Sequence, residues 1–87
     1  MSSYTVEMKP AARKELLSLP NDILARTVGR IEALAQDPRP PGCKKLKVYR
    51  NQWRIRVGAW RVIYTIDDAM RLISITRIAH RKDVYEH

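Results

Sequence analysis

Three arginines close together in the sequence, Arg54, Arg56 and Arg61, could bind a phosphate group. Guanidinium groups form paired hydrogen bonds with phosphate oxygens and stay protonated at any working pH. They can hold a nucleic-acid backbone and stabilise the negative charge that develops on a pentavalent phosphorane, but they are poor proton acceptors. These residue types therefore indicate phosphate chemistry in which other groups transfer the protons.

The C-terminal segment supplies candidates for proton transfer, His80 and Tyr85, with Arg81 between them as a further cation. When RNA is cleaved without a metal, its own 2′-hydroxyl attacks, so one group must accept that proton and another must protonate the leaving 5′-oxygen. An imidazole, with a reference pKa of ~6.5, does either, whereas a tyrosine, at ~10, does so only beside cations that lower its pKa. The alternative is structural, because terminal histidines are often exposed and tyrosines often pack.

The charge of the chain favours a polyanionic partner. It has 17 Lys and Arg against 9 Asp and Glu, a net charge of +8, and no acidic residue stands between Asp37 and Asp67. Such a localised positive field attracts nucleic acid, although a solubilising basic surface is the alternative. The candidates within it for binding RNA or the ribosome are Lys44, Lys45, Lys47 and Arg50.

Other classes of protein find little support. Cys43 is the only cysteine, so no disulfide can form within the chain, and no segment reaches the ~20 apolar residues of a membrane span. No Cys/His metal set or glycine-rich phosphate loop is present. The predicted second helix carries only Arg26 and Arg30 as cations, too few for a DNA-reading helix. We expect a cytoplasmic protein with no metal, small-molecule cofactor or membrane partner.

The first half of the sequence predicts one strand and two helices. Residues 4–8 alternate as a strand does, and Pro10 suits the first turn of a helix. Ala12, Leu16 and Leu19 then share one side, and apolar residues spaced three and four apart predict a second helix from Asp22 to Gln36. The two helices are expected to form a hairpin.

The second half predicts an antiparallel hairpin. Trp53 and Ile55 alternate with Arg54 and Arg56, and the two-residue link 58–59, with glycine first, suits a type II′ turn before a return strand over 60–66. We expect the tryptophans and Tyr64 to pack in the core. Arg61 is expected to lie diagonal to Arg56, with both side chains on the face away from the core.

A last strand is predicted over residues 71–78. The expected fold is therefore a single α+β domain, residues 1–87, in the order β-α-α-β-β-β. Its helical hairpin packs on a mainly antiparallel four-stranded sheet.

Three segments, 45–46, 53–64 and 78–85, resemble the RelE/ParE superfamily of bacterial and archaeal toxins, and the resemblance extends over essentially the whole chain. It implies a RelE-like fold and the toxin of a type II toxin–antitoxin system, inhibited by a cognate antitoxin. On the RelE branch, such a toxin is a metal-independent endoribonuclease that enters the ribosomal A site and cuts mRNA to leave a 2′,3′-cyclic phosphate. The alternative is the ParE branch, which poisons DNA gyrase by binding.

The resemblance also assigns roles by position. The family's catalytic cations fall on Arg54, Arg56, Arg61 and Arg81, and its functional aromatic residue falls on Tyr85. Lysines of the best known RelE pattern are replaced here by Arg54 and Arg56. Because arginine accepts a proton less readily than lysine, His80 or Tyr85 is the better candidate for the general base.

Overall fold

Two helices pack against one face of a five-stranded sheet in the computed structural model, which describes residues 3–47 and 51–81. In chain order the elements are β1 (Thr5–Met8), α1 (Pro10–Leu17), α2 (Asn21–Ala33), β2 (Lys44–Lys45), β3 (Gln52–Val57), β4 (Trp60–Asp67) and β5 (Leu72–His80). The sheet order is β1-β5-β4-β3-β2, antiparallel except for the parallel pair β1 and β5. The α+β class is confirmed, but four strands is wrong, because two-residue β2 is too short to show an alternating pattern.

The helices bury the apolar side that their spacing predicts. Ala12 and Leu16 of α1 lie in the core with Leu19, and α2 contributes Thr27 and Ile31. Pro10 occupies the first turn of α1, where its missing N–H leaves no hydrogen bond unmade. Helix α2 ends earlier than the predicted residue 36. This layer covers one face of the sheet and leaves the opposite face to the arginines.

The β3–β4 hairpin has the predicted turn. Gly58 has φ +61°, the positive value that the first position of a type II′ turn requires, and Val57 pairs with Trp60 across it. Tyr64 is fully buried and Trp53 packs partly buried against the core. The core assignment of these aromatic residues is therefore confirmed.

Strand β5 contains a bulge that reverses its alternation. Before the bulge Ile75 pairs with Tyr64, and after it Arg77 pairs with Ile63, so that Thr76 is the extra residue. The Thr76 hydroxyl donates a 3.1 Å hydrogen bond to the Ile63 carbonyl oxygen. Because of the extra residue, Ile75 and Ile78 are both buried in the core, although residues three positions apart in a regular strand point to opposite faces.

The loop after α2 is fastened to the β4–β5 turn by Asp68. The Arg39 guanidinium donates two hydrogen bonds to this carboxylate, at 2.9 and 3.3 Å, and the Tyr4 hydroxyl donates a third at 2.6 Å. The bond from Arg39, followed by that from Tyr4, holds the pKa of Asp68 below its ordinary value. The Arg39 guanidinium also lies 4.9 Å from the centre of the Trp53 ring, so this side chain contacts strand β3 as well.

Asp68→Asn is expected to lower the melting temperature by a few degrees at pH 7. A carboxyl group whose folded pKa is depressed stabilises the fold above its unfolded pKa, and that contribution disappears as the pH falls through the folded value. The difference between wild type and variant should therefore shrink below about pH 4. Thermal denaturation at pH 7 and at pH 3 measures it, and an equal difference at both values would contradict the prediction.

Candidate functional site

Arg54, Arg56 and Arg61 lie on the face of the sheet opposite the helices, and we call this the arginine face. Arg56 pairs directly with Arg61. The predicted diagonal relation is wrong, because a two-residue loop that pairs Val57 with Trp60 makes the next two residues directly opposite. Paired residues have Cβ atoms about 4.5–5.5 Å apart, so the two side chains leave the sheet from neighbouring points. An anion bound on this face could contact both guanidinium groups.

The three arginines differ in exposure. Arg54 is 1% exposed, although it is one of the largest side chains in the protein, whereas Arg56 is exposed and Arg61 is partly exposed. Arg54 and Arg61 each take part in a noncovalent interaction. The arrangement places Arg56 and Arg61 where a ligand can reach them, with Arg54 packed into the fold beside them.

Arg81 lies at the same end of the sheet as this pair. Its backbone N–H donates a 2.8 Å hydrogen bond to the carbonyl oxygen of Ala59 in the hairpin turn. Two residues earlier, Ala79 pairs with Arg61. The structure therefore brings the exposed Arg81 to the hairpin end of β4, next to the Arg56–Arg61 pair.

His80 lies on the side of β5 that faces the helices, away from the arginine face. It pairs with Trp60, which packs against the core on the helix side, and the two rings meet edge to face with their centres 5.2 Å apart. This register differs from the expectation that His80 acts together with the arginines, because the bulge at Thr76 turns His80 to the other side of β5.

The lysines divide between the two faces. Lys44 pairs with Arg54 and so extends the arginine face, whereas Lys45 pairs with Trp53 and holds its ammonium 5.9 Å from the centre of that ring. Lys47 is exposed after β2. Two further candidates, Arg50 and Tyr85, lie outside the described residues.

Two cations near the site were missed by sequence reasoning. Arg30 of α2 donates a 3.2 Å hydrogen bond from Nη1 to the carbonyl oxygen of Arg56. Arg77 pairs with Ile63, which in turn pairs with Arg54, so the two arginines lie in one row across the strands. Arg77 also forms an ion pair with Glu15 of α1. Neither position had a signal in the sequence, since one contact joins a helix to a distant strand and the other depends on the bulge.

Within residues 3–47 and 51–81, no group of three or more His, Cys, Asp or Glu side chains is placed to hold a metal ion. No helix in the same part of the chain is long and apolar enough to cross a membrane. The guanidinium groups of the arginine face can bind anions and stabilise negative charge.

Known proteins with similar sequences are toxins. A family model described as the ParE toxin of the type II toxin–antitoxin system parDE matches residues 6–85. Toxin RelG of Mycobacterium tuberculosis is 34% identical over 83 residues, which are 94% of this chain and 95% of RelG. The family assignment therefore rests on almost the full length of the chain.

Solved structures show the same fold. The chain matches the RelBE2 toxin–antitoxin complex of M. tuberculosis with a TM-score of 0.79 and 33% identity, covering 91% of this chain and 99% of that one. The archaeal RelE–RelB complex of Pyrococcus horikoshii gives a TM-score of 0.82 and 26% identity, covering 94% and 99%. These neighbours confirm the helical hairpin on a mainly antiparallel sheet.

Proposed function

The chain belongs to the RelE/ParE superfamily of type II toxin–antitoxin toxins, and from this premise we propose that it is a ribosome-dependent endoribonuclease. In this proposal it acts in the cytoplasm as a single domain, residues 1–87, and enters the ribosomal A site. There it cuts mRNA by attack of the substrate's 2′-hydroxyl on the adjacent phosphate, without metal or cofactor.

The direct pairing of Arg56 with Arg61 is the observation that carries this proposal. Directly paired residues project their side chains from adjacent points of the sheet, so one phosphate can lie within reach of both guanidinium groups. A phosphate in that position receives forked hydrogen bonds, and the charge of its phosphorane transition state is stabilised where it develops. Strands β2, β3 and β4 contain no acidic residue before Asp67, so their own side chains produce a positive field.

The other residues of the proposed site surround this pair. Arg81 adds a positive charge at the hairpin end, and Lys44 contacts the RNA backbone from the neighbouring strand. Arg54 supports the face from within the fold. The proposal assigns one of the two proton transfers to Tyr85, since His80 contacts Trp60 on the other side of β5. Lys45, Lys47 and Arg50 contribute the positive field that draws the toxin to ribosomal RNA.

A cognate antitoxin is the second proposed partner. Of the two solved neighbours described above, the M. tuberculosis structure is a toxin–antitoxin complex and the P. horikoshii structure is a RelE–RelB complex. We expect an antitoxin for this chain to carry acidic residues and to inhibit it by covering the arginine face, because complementary charge favours that contact. Co-expression with such an antitoxin should restore growth, and an Arg56→Glu toxin should bind it more weakly.

ParE-like poisoning of DNA gyrase is the alternative function, and the description of the matched family favours it. A toxin of that kind acts by binding and has no use for a proton donor beside clustered cations. The two functions differ in product, since one leaves cut mRNA and the other leaves gyrase trapped on DNA.

Tyr85→Phe is expected to reduce mRNA cleavage roughly 10²- to 10⁴-fold, the usual contribution of a general acid or base. The 5′ and 3′ ends of a translated message are mapped with and without ribosomes, for wild type and for this variant. His80→Asn serves as the control and should cut within a few-fold of wild type. Intact mRNA with wild-type toxin, together with trapped gyrase, would replace the nuclease by the alternative.

A further inference from the structure

Glu15 of α1 reaches across to the edge of β5 just after the bulge. One carboxylate oxygen, Oε1, accepts a 2.9 Å hydrogen bond from the backbone N–H of Ile78, and Oε2 accepts a 3.0 Å bond from Nε of Arg77. The Glu15 side chain is only 29% exposed, so this contact is partly shielded from water. Hydrogen bonds to a charged acceptor of this kind are about twice as strong as neutral ones.

The contact occurs where β5 loses its outer neighbour. Strand β1 pairs with β5 only as far as Met8 opposite Ile75, and the N–H of Lys9 then donates a last 2.9 Å bond to the Ile75 carbonyl oxygen. The chain turns into α1 at that point, and Glu15 replaces the strand as the acceptor for Ile78. Beyond the end of β1, the backbone N–H of Ile78 thus donates to a side chain instead of to a neighbouring strand.

The position of this bond matters because the bulge determines which face of the sheet each later side chain of β5 occupies. A shift of one residue in strand register moves every side chain to the other face. With the observed register, Ala79 lies opposite Arg61 and Arg81 lies opposite Ala59. Without the bulge, the regular alternation of Ile73 and Ile75 would instead turn residue 81 toward the helices.

We propose that Glu15 is a positioning residue of this toxin, which fixes β5 after the bulge so that Arg81 lies on the arginine face. This inference rests on the proposed nuclease function. Glu15 acts through the backbone of β5 and need not contact the RNA. Its removal should therefore affect the chemical step more than the binding of substrate.

The experiment compares Glu15→Ala with Glu15→Gln, which keeps an oxygen acceptor for Ile78, and with the control Glu7→Ala. Glu7 also holds β5 with its carboxylate, through a 3.0 Å bond from Ser74, but it does so before the bulge. We expect kcat for cleavage of ribosome-bound mRNA to fall roughly 10-fold in Glu15→Ala with KM little changed, because small displacements of reacting groups are costly. Glu15→Gln should recover most of the loss, and Glu7→Ala should cut like wild type.

Three results would overturn the proposal: wild-type kcat in Glu15→Ala, an equal loss in Glu7→Ala, or no recovery in Glu15→Gln. All rates are expressed per folded molecule, so a loss of stability alone does not imitate the effect. Amide hydrogen exchange supplies a readout that does not depend on nuclease activity, since Ile78 should exchange faster in Glu15→Ala than in Glu7→Ala. If wild type cuts no RNA, the proposed function fails, and unchanged exchange at Ile78 would separately refute the positioning role.

Discussion

Replacing Arg61 with alanine should lower the rate of mRNA cleavage about 100-fold and relieve growth arrest, because loss of one transition-state donor commonly has an effect of this size. Arg61 faces Arg56 directly, and both side chains reach solvent, so both can contact one phosphate. The double variant Arg56→Ala/Arg61→Ala should lose more, although the two effects need not add. Growth after induced expression and the mapped ends of a translated message measure the result.

Arg26→Ala is the matched control. Arg26 is exposed on α2, and its replacement removes the same single positive charge from the protein. We expect this variant to remain toxic, which would separate the local arginine cluster from the general attraction of a basic protein to RNA. Full toxicity of Arg61→Ala, with the variant shown to be folded, would eliminate the proposed phosphate site.

Arg54→Ala should instead destabilise the fold, by about 3 kcal/mol, since it truncates a large side chain that is almost fully buried. In a domain of this size each kcal/mol shifts the melting temperature by about 4–8 °C. Any loss of cleavage in this variant would therefore combine fewer folded molecules with weaker catalysis. Chemical denaturation and cleavage per folded molecule distinguish the two.

Arg56→Ala gives the comparison two residues along the same strand. Its side chain is exposed, and exposed substitutions usually change stability by less than about 0.5 kcal/mol. We therefore expect Arg56→Ala to melt near wild type while cutting poorly. Equal melting temperatures for the Arg54 and Arg56 variants would show that the burial of Arg54 does not stabilise the fold.

Neighbouring residues are enough to predict the local structure of the site. The alternation of Trp53 and Ile55 with the arginines set the two faces of β3, and a glycine at position 58 set the turn, because strand period and turn geometry depend on neighbouring residues. These two features were enough to place Arg56 and Arg61 on one surface. The apolar spacing in α1 and α2 likewise predicted which side of each helix is buried.

The residues of β5 that approach that surface are set by contacts between distant parts of the chain. The bulge at Thr76 sends His80 to Trp60 and brings Arg81 to the hairpin end, and Glu15, far away in the sequence, holds the strand just beyond it. The burial of Arg54 was likewise not predicted from the sequence. A bulge and the burial of a cation result from packing between distant segments, so the pattern of neighbouring residues does not predict either.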